Sequence, residues 1–540
     1  MMPLPKNFNG FAVHLVGVKG TGMCALAELL VKLGARVSGS DVEEEFYTDA
    51  ILAEIGVGVE IFNADLDVTA NGAAATTPSD EIPTLETGDP CLLGDDVELV
   101  IRSAAYDESN AVVAEAHRRR LPILNYPEAL GELSLRYEAA AIAGVHGKTT
   151  TAAMAGILIR ALGLPATVVV GSAVEGFGNL SSLPDAVFSD DEIDACGTYE
   201  TSIGSAYRSV WRGGDQFLVA ETCEYRRHFL HFYPKMVLLS SVESDHQDYF
   251  PNYASISLAF VELCNRLPVG GELIYCFDND GARDVAARVR QKRPDIRMIP
   301  YGTRAAGRWR IEFENAKGKT AGRNLFRLNA FDCDFRLRLP GRHSVLNAVA
   351  ALALVHLLCE WEPRYFDWTV VRRALAGFRG SRRRNEIIGE SNGLLVIDDY
   401  AHHPTSIQSF LDGLRDFYPG RRLIVDFMPH TYSRTAALID DFVKCFDDVN
   451  ILLLHPIYSS AREKYDGGID GFALWERVSA RREKLERREY EQRETFYFES
   501  LNQAAHTLNP IFRAGDLFVT LGAGNNRSLG LRVLREYGGS

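Results

Sequence analysis

Three times along the chain, an apolar run of strand length is followed by a turn and then by residues with helical periodicity. The first instance runs from Ala12–Val16 through Gly17–Gly22 to Met23–Leu33, with the short extended stretch Ala35–Ser38 behind it. The second runs from Ala139–Ala143 through Gly144–Thr151 to Ala152–Leu162, and the third from Leu394–Ile397 through Asp398–Pro404 to Thr405–Tyr418. Repeated strand–turn–helix order leads to parallel sheets covered by helices, so the expected fold class is α/β with more than one such sheet.

Further apolar strands fit the same spacing. Val97–Ile101 and Leu121–Leu124 flank a helical stretch at Ala111–Arg120, and the first unit is expected to close near Tyr137. Strands at Gln216–Ala220, Met236–Ser241, Glu272–Phe277 and Met298–Tyr301, with a helix at Ser255–Arg266, continue a parallel sheet in the middle. Leu423–Met428, Val449–Leu454 and Asp516–Leu521 continue the last unit, which reads as Rossmann-like. Ser181–Gly214 is polar and aperiodic and reads as a surface loop or insertion; Arg481–Thr495 reads as a solvated, mixed-charge helix face.

A chain of 540 residues exceeds what one core supports, and at roughly 150 residues per domain it implies about three or four units. A net charge of −14 excludes a broad nucleic-acid surface, because phosphate-backbone affinity needs clustered Lys and Arg. No apolar run is read as long enough to cross a bilayer, and the start MMPLPKNFNGFAVHLVG lacks the pattern of a secretion signal, so a cytoplasmic protein without a membrane partner is expected. The nine cysteines, Cys24, Cys91, Cys196, Cys223, Cys264, Cys276, Cys333, Cys359 and Cys445, show no CxxC pair and read as reduced thiols.

The segment Gly144-Val145-His146-Gly147-Lys148-Thr149-Thr150-Thr151 carries the most chemistry. A Gly-x-x-Gly-Lys-Thr loop that ends a strand and opens a helix surrounds a phosphate with backbone N–H groups and the positive end of a helix dipole. Lys148 is then placed for the β- and γ-phosphates, and Thr149 for Mg²⁺. The loop departs from the general phosphate-loop pattern, having Ile142 where that pattern has its first glycine. Oxygen or imidazole ligands for the metal are available at two further strand ends, at Glu221 in ETCEYRRHFL and at Asp245-His246.

Gly17-Val18-Lys19-Gly20-Thr21-Gly22 fails the G-x-G-x-x-G spacing, which disfavours a redox dinucleotide, yet a glycine turn at a helix start still seats a pyrophosphate, with Asp41 about 20 residues on placed for a ribose. Arg382-Arg383-Arg384 precedes Asp398 and Asp399; an arginine row is commonly a solvated run, but beside a phosphoryl site it neutralises charge. The adjacent His402-His403 pair lacks the i, i+4 spacing that aims two imidazoles at one ion.

Taken in order, these motifs resemble the Mur ligases over nearly the whole chain: HLVGVKGTGM at 14–23, SGSD at 38–41, GVHGKTTT at 144–151, ETCEYRRHFL at 221–230, SDHQDYF at 244–250, LPGRHSVLNAVAA at 339–351, RRRNE at 382–386, IDDYAHHPT at 397–405, PHTYSRT at 429–435 and SARE at 460–463. The resemblance implies three domains: an N-terminal Rossmann-like UDP-sugar-binding domain at 1–137, a central ATP-binding phosphate-loop domain with a parallel sheet at 138–379, and a C-terminal Rossmann-like ligase domain at 380–540.

It also implies roles. Gly144, Val145, His146, Gly147, Lys148, Thr149 and Thr150 would hold ATP, with Asn347 on its adenine side. Thr149, Glu221 and His246 would hold magnesium. Lys148, Glu221, His246, Arg383 and Asp399 would form the catalytic set, Arg383 and Asp399 also serving the nucleotide. Gly20, Thr21, Gly22, Met23, Asp41, Ser103, His402, His430 and Arg434 would meet the substrates, UDP-N-acetylmuramate and L-alanine, in a monomer or homodimer.

Three departures from the family pattern stand out: Lys19 in place of a second glycine, Ser344 in place of a common Asn, and Gly524-Asn525-Asn526 in place of a Gly-Ala-Gly-Asp ending. The implied chemistry is activation of a carboxylate as an acyl phosphate followed by attack of an amine, with domain closure to exclude water. Competing readings are a ligase that recycles muropeptides, of which Gly20-Thr21-Gly22-Met23 resembles the alanine-adding branch more closely, a nucleotide-binding module without turnover, and a nicotinamide dehydrogenase.

Overall fold

The computed structural model describes residues 4–62, 93–178, 207–247, 249–313, 324–459, 467–485, 493–508 and 510–538. Cys91, Cys196, the SARE segment and most of the Ser181–Gly214 stretch lie outside them. The described residues divide into two compact units, Met1–Arg136 and Tyr137–Ser540.

The first unit is built on five parallel strands in the order Gly58–Ile61, Arg36–Asp41, Ala12–Val16, Leu99–Arg102 and Ile123–Asn125. Strand order reverses on either side of Ala12–Val16, which opens a crevice at its carboxyl end beneath the helix Thr21–Lys32. Gly17 turns the chain there with φ 81°. A Cβ on it would lie 2.6 Å from the Tyr106 ring and 2.9 Å from Ser103, so only glycine fits.

The second unit holds two large sheets. The eight-stranded sheet runs Trp309–Arg310, Arg297–Gly302, Glu272–Cys276, Met236–Leu239, Glu138–Ala143, Phe217–Glu221, Ala166–Glu175 and Tyr207–Arg212. Its central strand is mostly alanine and is fully buried from Ala139 to Ala143, because helices Lys148–Leu162 and Arg342–Trp361 pack together across one face and leave little room for larger side chains. The six-stranded sheet runs Glu386–Ser391, Leu394–Asp399, Asp516–Gly522, Arg422–Met428, Ile451–Leu454 and Glu494–Tyr497, its first strand antiparallel and the rest parallel.

Several expectations are corrected. The middle sheet is not purely parallel: Tyr207–Arg212 pairs antiparallel with Ala166–Glu175, so the end of the stretch read as a loop is an edge strand. A small antiparallel sheet of Glu312–Phe313, Asn324–Leu328 and Cys333–Leu337 is added beside it. The helix after the phosphate-type loop starts at Lys148 rather than Ala152, so the loop's lysine and threonines form its first turn.

Arg342–Trp361 is long and apolar enough to cross a bilayer by length and composition, contrary to the sequence reading, and most of it is buried inside the protein as a core helix. The charged stretch at Arg481–Thr495 is not one solvated helix. Helix Gly471–Lys484 ends within it, Glu494–Tyr497 is a strand, and Arg482 is buried with its guanidinium donating to the carbonyls of Phe446 and Val449. Among the described residues no disulfide joins any of the seven cysteines.

Candidate active site

A cavity of about 290 Å³ lies where the carboxyl edge of the eight-stranded sheet meets loops of the six-stranded sheet. Its floor is the turn from Gly144 to Thr150. Gly144, at φ 138°, passes so close to the strand end at Ser240 that a Cβ would collide with the Ser240 hydroxyl. Val145 N–H donates to the Ser241 carbonyl at 3.0 Å and His146 N–H to Ser241 Oγ at 2.9 Å, which fixes the turn to the neighbouring strand. Gly147 then adopts φ 83° and caps the helix that Lys148 opens.

Lys148 folds back over this turn, donating to the carbonyl of Gly144 and, at 2.8 Å, to Glu224 Oε2. Burial works against its charge, but the carboxylates of Glu224 and Glu221 outweigh it and hold the ammonium's pKa above its ordinary value. Glu224 is likewise kept ionised: burial opposes this, while Lys148 and His246 hold its pKa below the usual range. Glu224 Oε1 lies 3.4 Å from His246 Nε2, and the contact raises the imidazole's pKa against the opposing effect of burial. Thr149 Oγ1 donates to Glu221 Oε1 at 2.9 Å, and Gly171 N–H donates to the other oxygen of Glu221, also at 2.9 Å.

The Thr149 hydroxyl, the Glu221 and Glu224 carboxylates and the His246 imidazole therefore line the same cavity as the phosphate-type turn. Predominantly oxygen donors of this kind suit a hard divalent cation. The fit is supported by the surplus of carboxylates, since Glu221, Glu224 and Asp245 all line the cavity with Lys148 and Arg434 as their nearest cationic partners.

The opposite wall comes from the six-stranded sheet. Arg434 and Asp245 pair across it, His430 sits 3.3 Å from Arg434, and the rings of His402 and His430 approach to 5.9 Å. Burial, reinforced by Arg434, holds the His402 pKa well below its ordinary value, so its ring is neutral with Nδ1 against the Tyr400 carbonyl at 2.8 Å. His146, Lys148, Thr149, Glu221, His246, His402, His430 and Arg434, all singled out in the sequence, are thus brought together.

Arg383 and Asp399 are not among the residues lining the cavity. Arg383 donates to Asp398 at 3.2 Å and to the Gly522 carbonyl at 2.8 Å, while Asp399 accepts 2.8 Å bonds from the N–H groups of Asn385 and Ala401. Both carboxylates organise the loop; burial pushes the pKa of Asp399 up and that of Asp398 up to about 6. Of the row Arg382-Arg383-Arg384, the residue that lines the cavity is Arg384, with its guanidinium 4.7 Å from the Tyr400 ring centroid. Asn347 lies behind the turn, against Gly147.

The sequence reading gave no role to Glu224, Tyr400, His403 or Ser406, and to Arg384 only the one shared by its arginine row; all five also line the cavity. The spacing of Glu221 and Glu224 around a strand end was the one available signal.

In the first unit, Gly20, Thr21, Gly22 and Met23 form the start of the helix Thr21–Lys32, and Ser103 faces Gly17 at the same sheet edge. Asp41 is buried and accepts from Lys19 N–H at 2.7 Å, Val42 N–H at 2.8 Å and the Tyr106 hydroxyl at 3.1 Å, so it braces the glycine turn instead of offering a free carboxylate to a ribose. The three departures are each absorbed structurally. Lys19 Nζ donates to the Glu44 carbonyl, the Ser344 hydroxyl to the Pro340 carbonyl, and the Asn526 amide to Asp426 Oδ2.

Residues 12–138 match the Mur ligase family catalytic domain, 142–355 the Mur ligase middle domain and 383–524 the Mur ligase glutamate ligase domain. The UDP-N-acetylmuramate–L-alanine ligase of Treponema pallidum is 44% identical over 99% of this chain and 98% of its own length. The chain belongs to the Mur ligase family.

Solved structures share the Mur ligase fold. The UDP-N-acetylmuramate–alanine ligase of Thermotoga maritima superposes with a TM-score of 0.68 at 21% identity, covering 97% of this chain and 99% of its own. A murein peptide ligase from Psychrobacter arcticus gives 0.60 at 20% identity, covering 98% and 99%. The three-domain Mur ligase architecture is therefore the architecture of this chain.

Proposed function

We propose that this Mur ligase uses ATP to activate the carboxylate of UDP-N-acetylmuramate as an acyl phosphate and joins it to L-alanine, releasing ADP and phosphate, as a step in cytoplasmic peptidoglycan precursor synthesis. The observation that carries the reading is the Lys148–Glu224–His246 chain of contacts beside the Thr149–Glu221 pair, inside the phosphate-type turn. Likeness to the Treponema pallidum ligase over almost the entire length supports the substrates.

The backbone N–H groups at the start of the helix Lys148–Leu162 bind the triphosphate, and Lys148 swings from Glu224 to the transferring phosphoryl group, where its charge offsets that which develops in flight. Thr149, Glu221 and His246 would hold magnesium, which supplies further charge neutralisation on the phosphates. Arg384 enters the same cavity and is placed to meet the phosphoryl oxygens. Neutral His402 and the His430–Arg434 pair line the side from which the amine approaches; burial keeps the ring of His402 uncharged, so it can accept a hydrogen bond from the ammonium of the amino acid. In the first unit, the helix start at Gly20 to Met23 and the edge at Ser103 offer N–H groups to the diphosphate of the sugar nucleotide.

The test is release of ADP from ATP with the two substrates supplied singly and together. The reading expects ADP only when UDP-N-acetylmuramate and L-alanine are both present. Turnover with a tripeptide in place of alanine would instead indicate a recycling ligase, and no coupled turnover with either would leave a nucleotide-binding module.

A further inference from the structure

At the rim of the cavity, three side chains from different parts of the chain converge. His146 comes from the phosphate-type turn, Glu243 from the loop after Met236–Leu239, and His403 from the loop after Leu394–Asp399. One ligand atom from each lies within 4.8 Å of the others. His403 is 6% exposed, and its Nε2 is buried with no hydrogen-bond partner among the described residues; the same holds for His146 Nε2, which stops 3.5 Å from Glu243 Oε2. An unsatisfied buried polar atom is costly, and two imidazole nitrogens are left open here in a cluster with one carboxylate, Glu243, which also takes a 3.3 Å contact from the Asn279 amide.

We propose that His146, Glu243 and His403 form a binding site for a first-row transition ion of the zinc type, distinct from the oxygen-rich magnesium set at Thr149 and Glu221. Two imidazoles and one carboxylate are the protein ligands of an open zinc site, with remaining positions for water, whereas Mg²⁺ prefers oxygen alone. The partners of the other ring nitrogens fit the assignment. His146 Nδ1 is 3.0 Å from Ser406 Oγ, which can accept from Nδ1–H in the tautomer that leaves Nε2 free to ligate. His403 Nδ1 accepts from Thr405 N–H at 3.3 Å, beyond the usual range for such a bond, so moving the ring proton to Nδ1 on metal binding sacrifices only a weak contact. Burial and the nearby His146 hold the pKa of His403 down at about 4, so it stays uncharged and ready to ligate near neutral pH.

An ion here ties the turn that precedes Lys148 to the loop that carries His402, and so links the two large sheets. Zinc binding by the full-length protein, in excess Mg²⁺ to fill the oxygen-rich set, tests the site, with Co²⁺ as a visible-absorption probe of ligand geometry. The expected result is one equivalent of Zn²⁺ and an intense low-symmetry Co²⁺ spectrum. Both should weaken by at least about tenfold in Glu243→Gln and in His403→Asn, and persist in Glu221→Gln. Asparagine at 403 keeps a helix-capping oxygen while removing the imidazole. Absence of Zn²⁺ binding by the unaltered protein, unchanged binding in Glu243→Gln, or loss in Glu221→Gln instead, would overturn the assignment. None of these readouts depends on ligase turnover.

Discussion

Asp245 and Arg434, 189 residues apart in the chain, form a buried ion pair across the cavity, with Arg434 Nη2 3.2 Å and Nε 3.3 Å from Asp245 Oδ1. Asp245 also accepts the N–H of His246, which sits at φ 55°. The pair therefore joins the six-stranded sheet to the loop that carries a proposed metal ligand. Burial alone would raise the Asp245 pKa, yet Arg434 and His246 hold it far below the carboxylate range.

Removing one partner strands the other. Arg434→Ala is predicted to lower stability by about 3 kcal/mol, the scale seen when a buried charge loses its counterion, while Asp245→Asn combined with Arg434→Met recovers most of the loss. Thermal denaturation of the unaltered protein and the two variants checks this. Equal melting temperatures in Arg434→Ala and the unaltered protein would mean that the pair is solvated in solution.

The neighbouring arginines separate function from architecture. Arg384→Ala should reduce kcat/KM by about a hundredfold, the scale of a lost charge on a transferring phosphoryl group, with little change in melting temperature. Arg383→Ala should act on stability, because Asp398 loses its guanidinium in a fully buried setting. The sign follows from the raised pKa of about 6: native Asp398 holds its proton to higher pH than the unfolded chain, so its contribution is lost as pH rises from about 3.8 through 6. Without Arg383 that pKa climbs further and the loss extends toward neutrality. Melts of both variants between pH 5 and 8 distinguish the two roles; a pH-independent Arg383→Ala melt would argue against it.

The phosphate-type turn was legible because its chemistry is local: glycines, Lys148 and Thr149 are adjacent in the chain, and strand and helix flank them. The choice between Arg383 and Arg384 was not, since it rests on Arg383 adopting φ 59° and turning into the sheet, toward Asp398. Glu224 was obscured for a related reason. A carboxylate three residues after Glu221 reads as a surface turn until two consecutive left-handed residues, Arg226 and Arg227, fold that segment back. Many of the parallel strands were visible as continuous apolar runs, but Gly58–Ile61, Ala166–Glu175 and Glu494–Tyr497 were not, and neither was the antiparallel edge strand Tyr207–Arg212, which need bury only part of its surface and carries arginines at both Arg208 and Arg212.

Acid should weaken the first unit through His14. This residue is 1% exposed on the strand Ala12–Val16, with ring nitrogens 2.9 and 3.0 Å from the hydroxyls of Ser38 and Ser40, and burial lowers its pKa to about 4. The unfolded chain takes up a proton near pH 6.5 that the native chain refuses, so stability falls as pH drops from 6.5 toward 4, by about 2 kcal/mol at pH 5. His14→Gln should flatten this dependence in urea titrations followed by hydrogen exchange of the first-unit strands. An equally steep acid loss in that variant would assign it to other groups.

Gly147→Ala gives the most direct test of the phosphate cradle. The residue sits at φ 83°, where an alanine is strained by roughly 1–2 kcal/mol, and the added Cβ would lie 2.5 Å from Asn347 Oδ1 on the core helix Arg342–Trp361. Asn347 is buried and can yield only by disturbing that helix, so the turn itself must shift, carrying the N–H groups before Lys148 away from a bound phosphate. Calorimetric titration with ATP and magnesium should show affinity reduced by at least about tenfold, since each 1.4 kcal/mol is a factor of ten. Adding Asn347→Ala removes the clash and leaves the strain, so the double variant should recover part of the affinity and no more. If Gly147→Ala binds the nucleotide as the unaltered protein does, the triphosphate is held elsewhere, and the contact between Lys148 and Glu224 is a structural ion pair instead of a poised catalytic one.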